Sequence, residues 1–171
     1  MRSVKRNQRG AVSIEIAVSS VVLFASLLSV FDFGRMYFYQ SRLKYAVSQA
    51  TRFATIGNVI EDPNNPGSDL SRADSIVVMI RELSGFVDMA DGDISVVSLA
   101  GDGSQVPGAG GPGDVVSVTA TYRIAVVAPY LSALFDEGSY EFSATTTFRN
   151  EEFPDTAWLI DAAGSGREVL A

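Results

Sequence analysis

The chain has 171 residues, enough for one domain and an additional segment. It contains no Cys and no His, which excludes thiol chemistry, disulfides, thiolate or imidazole metal sites and every His-based catalytic dyad or triad. The net charge of −7 conceals a split: of 13 basic residues, Arg2, Lys5, Arg6 and Arg9 lie in the first ten positions, where no acid occurs, so from Ala11 onward nine basic residues stand against all 20 acidic ones. An acidic body repels phosphate and argues against nucleic acid as a partner.

Residues 11–31 (AVSIEIAVSSVVLFASLLSVF) carry a single charge, Glu15. As a helix rising ~1.5 Å per residue they span about 32 Å, the thickness of a bilayer's hydrocarbon core. Four cations and no acid stand in the ten residues before the span, and Asp32 is the first charge after it. Under the positive-inside rule the N-terminus then stays cytoplasmic and the body is exported to the periplasm. A secretory signal peptide would have a shorter apolar run of about 7 to 15 residues and a small-residue cleavage site. Positions near Ala25 and Ser29 do not supply that site.

Glu15 is the anomaly of the span, because a carboxylate there costs roughly 1 to 3 kcal/mol and calls for a partner. In one reading it snorkels to the headgroups from about 7 Å inside the helix start. In the other, Arg9-Gly10-Ala11-Val12-Ser13-Ile14-Glu15 is one unit: a basic leader ending in Gly, a cut, and an apolar helix with Glu at its fifth position. This unit resembles the processing signal of type IV prepilins. The resemblance implies that prepilin peptidase, a membrane aspartyl protease, cuts between Gly10 and Ala11 and leaves a free amine on Ala11. Gly10 is expected to offer an extended, unhindered backbone to the protease. Glu15 of one subunit then pairs with the new amine of a neighbour, so that neither charge is left alone in apolar surroundings.

Within the pilins, RGAVSIEIAV is similar to the tight-adherence (Tad) system, and to its TadE-like minor pilins in particular. Two positions depart from the common type IV form: Ala11 stands where an aromatic is usual after the cut, and Ile14 where Leu usually precedes Glu. The resemblance implies a subunit of the inner membrane, other Tad pilins and pseudopilins and the pilus assembly machinery as partners, and roles in adhesion, surface attachment and biofilm formation.

Past the span, Met36, Tyr39, Leu43, Ala46, Ala50 and Phe53 recur at spacings of three and four, with Arg42, Lys44, Gln49 and Arg52 off the stripe. One helix is therefore expected to run to about Ile56, stopped by Gly57-Asn58, with a loop over EDPNNPGSD. Ser71 with Asp74 opens a second helix by a capping box, and Ile76, Val77, Ile80 and Leu83 form its buried face before Gly85. Three strands follow, at 94–99, 115–127 and 140–148, read as an antiparallel meander. The second has Val116, Val118, Ala120, Tyr122, Ile124 and Val126 on one face, and the third Phe142, Ala144 and Thr146. The fold class is thus α+β and pilin-like, with a long first helix that is half transmembrane and half amphipathic.

The expected organisation is a removed leader at 1–10, a transmembrane helix at 11–31, an exported domain at 32–152 and a flexible extension at 153–171. Phe148-Arg149-Asn150-Glu151 resembles the ending of TadE-like domains, which carries the likeness over about residues 6 to 152. The extension holds the lone Trp158 in an apolar patch before Gly164-Ser165-Gly166, available to dock on a neighbour.

The remaining constellations do not read as chemistry. Gly108, Gly110 and Gly113 match GxGxxG, but Pro112 interrupts and a strand follows in place of a helix, so no phosphate cradle is expected. Asp88, Asp91, Asp93, Asp102 and Asp114 lack the spacing of a calcium loop. The acid pairs Asp136-Glu137 and Glu151-Glu152 are sequence neighbours whose side chains diverge. Lys44, the sole lysine after the leader, lies on the helix stem. No enzyme activity, cofactor or metal is expected. Two rival readings are an uncleaved single-pass protein with a periplasmic partner-binding or ligand-binding domain, and a soluble domain released by signal peptidase.

Overall fold

The structure is a computed structural model, and it describes residues 8–85, 89–99 and 103–152. Arg2, Lys5 and Arg6, the side chain of Arg9, Asp88, Asp102, the side chain of Asp91 and the tail with Trp158 lie outside the described residues. Two compact units emerge, one of Met1–Tyr37 with Ile124–Tyr140, the other of Phe38–Arg123 with Glu141–Ala171.

Helix α1 (Gln8–Thr55) runs for 48 residues without interruption. It stops where the sequence places a left-handed glycine: Gly57 has φ +78° and its N–H donates to Ala54 O at 3.0 Å. Met36, Leu43, Ala46 and Ala50 are buried and Tyr39 and Phe53 half-buried, as their spacing predicts. Val47, Thr51 and Ala54 widen this face, while Lys44 and Arg52 are exposed. Helix α2 (Arg72–Ser84) has the predicted cap, with Ser71 Oγ accepting from Asp74 N–H at 3.0 Å and donating to Asp74 Oδ2 at 2.7 Å. Ile76 and Ile80 are fully buried on its inner face.

The sheet has four strands, β1 (Ile94–Leu99), β2 (Gln105–Pro107), β3 (Val115–Ala125) and β4 (Ser139–Arg149), in the order β2-β1-β3-β4. This corrects the expected three. Strand β2 has three residues and ends in Pro107, too short to show alternation, and proline is tolerated there because the strand is an edge. β1 pairs antiparallel with β2 and with β3, Val96 lying opposite Val118. Side-chain contacts of Thr119 with Thr145 and of Ser117 with Thr147 run in opposite senses along β3 and β4, so that pair is antiparallel too. The predicted inner face is observed: Val116, Val118, Ala120 and Ile124 of β3 and Phe142 and Ala144 of β4 are buried. Tyr39 of α1 stacks on Tyr122 with centroids 5.9 Å apart, and Tyr122 meets Phe142 edge-on at 5.8 Å.

The glycine-rich loop before β3 holds a guanidinium. Arg72 is completely buried and donates to Ala109 O (3.2 Å), Gly110 O (2.6 Å), Ala54 O (3.0 Å) and Asn150 Oδ1 (3.0 Å). Asn150 Nδ2 in turn donates to Ala109 O (2.9 Å) and Gly111 O (2.8 Å). The loop therefore turns carbonyl oxygens toward a cation, where a phosphate loop would turn N–H groups toward an anion. Gly110 has to be glycine: its φ is +62°, and a Cβ would lie 2.8 Å from Asp114 Oδ2 and 2.9 Å from Ser98 Cβ.

Candidate membrane-assembly site

Gly10 and Ala11 lie within the first turns of α1, and Glu15 follows one turn later. Gly10 is helical in the free chain; the extended conformation is expected of it in a peptidase's cleft. Helical geometry is tolerated because these are the helix's first residues, but glycine is about 1 kcal/mol less favourable there than alanine. Nothing lies within 4 Å of a Cβ built at Gly10, so packing does not require the glycine. Ala11 and Glu15, four residues apart, share one face of the helix. Glu15 is exposed, and among the described residues it meets no cation.

Around Glu15 the helix surface is apolar and uncovered. Val12, Ile14, Ile16, Val18, Val21, Val22, Leu23, Phe24, Leu27 and Val30 are all exposed. Three hydroxyls of this stretch are satisfied within the helix, Ser20, Ser26 and Ser29 donating to the carbonyls of Ile16, Val22 and Ala25 at 2.7, 2.8 and 3.0 Å. Such back-bonding removes the cost of a hydroxyl in hydrocarbon. A single helix of this length and composition fits a single-pass membrane protein.

Asp32 stands where the apolar run ends, and it does more than the sequence reading assigned to it. It is 1% exposed. Its carboxylate accepts N–H bonds from Val127 (3.1 and 3.2 Å to the two oxygens) and Ala128 (2.8 Å), and Arg35 lies 3.6 Å away one turn on. Arg35 also sits over the Phe31 ring at 5.7 Å. The two amides open a short helix α3 (Pro129–Ser132), which the sequence reading passed over. Tyr130 of α3 donates to Ala25 O, and its hydroxyl lies 2.7 Å from Ser29 Oγ. The signal was present in a carboxylate at a helix position flanked by apolar residues, but its partners lie 95 and 96 residues away.

Among the described residues the acidic turns do not gather. Asp93 caps its own turn by accepting from Ala90 N–H at 2.8 Å, and Asp114 Oδ2 accepts from Gly111 N–H at 2.8 Å. Among the described residues no group of three or more acidic side chains is placed to hold a metal ion.

Residues 10–52 match the family model of the TadE-like proteins. The match begins at Gly10, contains Ala11, Glu15 and Asp32, and ends at Arg52, so it covers the apolar stem and most of the amphipathic half of α1 and stops short of the sheet. No curated protein and no solved structure matches the chain. Over these residues the stem is similar to the TadE-like proteins.

Proposed function

We propose that the chain is a minor pilin or pseudopilin of the Tad pilus, a structural subunit without enzymatic activity. It is inserted in the inner membrane with its N-terminus cytoplasmic and its α+β domain periplasmic. Prepilin peptidase cuts between Gly10 and Ala11, after the leader cations Arg2, Lys5, Arg6 and Arg9. The mature subunit joins other Tad pilins and pseudopilins through the assembly machinery and serves adhesion, surface attachment and biofilm formation.

The observation that carries this reading is Glu15, an exposed carboxylate on a bare apolar helix surface, one turn beyond a glycine that nothing packs against. Both features are costly for an isolated membrane helix. Both become useful if the Gly10-Ala11 bond is cut and the new amine of one subunit neutralises Glu15 of the next, fixing axial register as apolar stems pack. The match over residues 10–52 supports the same reading.

Intact mass and N-terminal sequencing of the membrane-extracted protein, from cells with and without prepilin peptidase, test it. A mature start at Ala11 that depends on the peptidase is expected. An uncut leader in both strains would overturn it in favour of a plain anchored periplasmic domain, and a start near Ala25 or Ser29 would indicate signal peptidase.

A further inference from the structure

The connection between β3 and β4 is unlike an ordinary hairpin loop. From Ile124 to Phe135 (IAVVAPYLSALF) it has no charged residue, with Arg123 before it and Asp136-Glu137 after it. Connections exposed to water are normally rich in polar residues. Here Val127 is 51% exposed, Tyr130 44% and Leu134 77%, and Pro129 and Ala133 are exposed as well.

The position of this loop beside α1 says what covers it. Tyr130 reaches Ala25 O and Ser29 Oγ, and both residues belong to the apolar run 11–31. At ~1.5 Å per residue, Ala25 lies about 9 Å inside the end of that run at Phe31. The amides of Val127 and Ala128 are held by Asp32, at the first charged position beyond the run. A tyrosine hydroxyl tied to the helix about 9 Å down and a carboxylate at its exit fix the loop's depth. They place its apolar side chains alongside the outer end of the span, where aromatic rings with one polar tip are favoured.

We propose that residues 126–135 are a second membrane contact, dipping into the periplasmic leaflet of the inner membrane beside α1. The occupant of this exposed surface is lipid, at the boundary of headgroup and acyl chain. Val127, Tyr130 and Leu134 enter it, and Arg123, Asp136 and Glu137 mark the level at which the chain returns to water. The inference rests on α1 spanning the bilayer and not on its cleavage or on filament assembly.

Because the chain has no cysteine, a single introduced one carries a nitroxide label uniquely. Full-length Leu134→Cys, Val21→Cys and Ser143→Cys would be reconstituted in vesicles of phosphatidylethanolamine and phosphatidylglycerol, and label collisions with oxygen and with a water-soluble nickel chelate compared. All three native side chains are exposed, so the labels do not disturb packing. The expected order is Val21 deepest, Leu134 intermediate with a ratio of oxygen to nickel accessibility several-fold above that of Ser143, and Ser143 as in water. A Leu134 label as open to nickel as Ser143, with Val21 still protected, overturns the loop contact while leaving the span intact, and would assign this surface to a protein neighbour. A Val21 label open to nickel overturns the span and the loop contact together.

Discussion

Arg72 is the side chain on which several segments of the folded part of the chain converge. Its guanidinium joins the C-terminal carbonyls of α1 through Ala54, the glycine loop through Ala109 and Gly110, and the end of β4 through Asn150. The Ala54 carbonyl lies at the negative end of the α1 dipole, which favours a cation there. Replacing Arg72 by Ala leaves several buried acceptors without donors and opens a cavity, which is expected to cost about 3 to 5 kcal/mol. Lys cannot rescue it, because one ammonium does not reproduce the planar fork. Urea unfolding of Arg72→Ala and Arg72→Lys in detergent should show both with lowered midpoints; a lysine variant of native stability would mean that charge alone matters. Glu15 makes the opposite argument, since the isolated subunit gains nothing from it. Under the proposed function, Glu15→Gln should insert and be cut at Gly10 normally, because the substitution removes a charge from an apolar span and leaves the Gly10-Ala11 bond unchanged. It should then be depleted several-fold from sheared pili while the membrane pool is retained. Undiminished recovery in pili would reduce Glu15 to a snorkelling side chain.

At the level of elements, Asp32 joins α1 to α3, although 95 and 96 residues separate it from the amides it holds. Hydrogen bonds to a buried carboxylate are worth about 1.5 to 3 kcal/mol each. Asp32→Ala is therefore expected to release residues 126–138 locally, without unfolding the packed face of α1. Hydrogen exchange at Val127 and Ala128 should accelerate by about tenfold or more, each 1.4 kcal/mol being a factor of ten, while amides of β1 and the inner half of β3 keep their protection. Uniform acceleration throughout would show that Asp32 supports the whole fold instead. These elements also mark how far the sequence could be read. α1, α2, β1, β3 and β4 declare themselves by period because each buries one face, as Leu43, Ile76, Val96, Val118 and Phe142 show. β2 and α3 are too short for a period to accumulate. The Arg72 and Asp32 networks were not legible because a lone polar residue has no pattern of its own. Its meaning comes from partners up to 78 residues away for Arg72 and 96 for Asp32. Gly10, Ala11 and Glu15, the proposed processing and assembly residues, could be nominated for the converse reason, since their arrangement is local and rests on spacing along one helix.

At the scale of the whole molecule, the two halves of one helix differ in what they contribute to stability. Up to Phe31 the helix leaves its large apolar side chains exposed, so no fold depends on them. From Asp32 onward it supplies core: Met36 is nearly and Leu43, Ala46 and Val47 completely buried. Burying a Met, Leu or Val side chain is worth about 1.5 to 3 kcal/mol, so these residues together contribute roughly 5 to 9 kcal/mol, comparable with the entire net stability of a small domain at about 5 to 15 kcal/mol. A chain beginning at Asp32 should therefore keep a cooperative urea transition monitored by circular dichroism. A chain beginning at Ala50 loses that core and should show none. If the shorter chain still unfolded cooperatively, the amphipathic half of α1 would be a membrane-side appendage. If the longer one failed to fold, the apolar half would be part of the folding unit. With the expected pair of outcomes, the boundary between what the bilayer stabilises and what packing stabilises falls at Asp32, the first charge after the span and the residue that holds α3 against the helix.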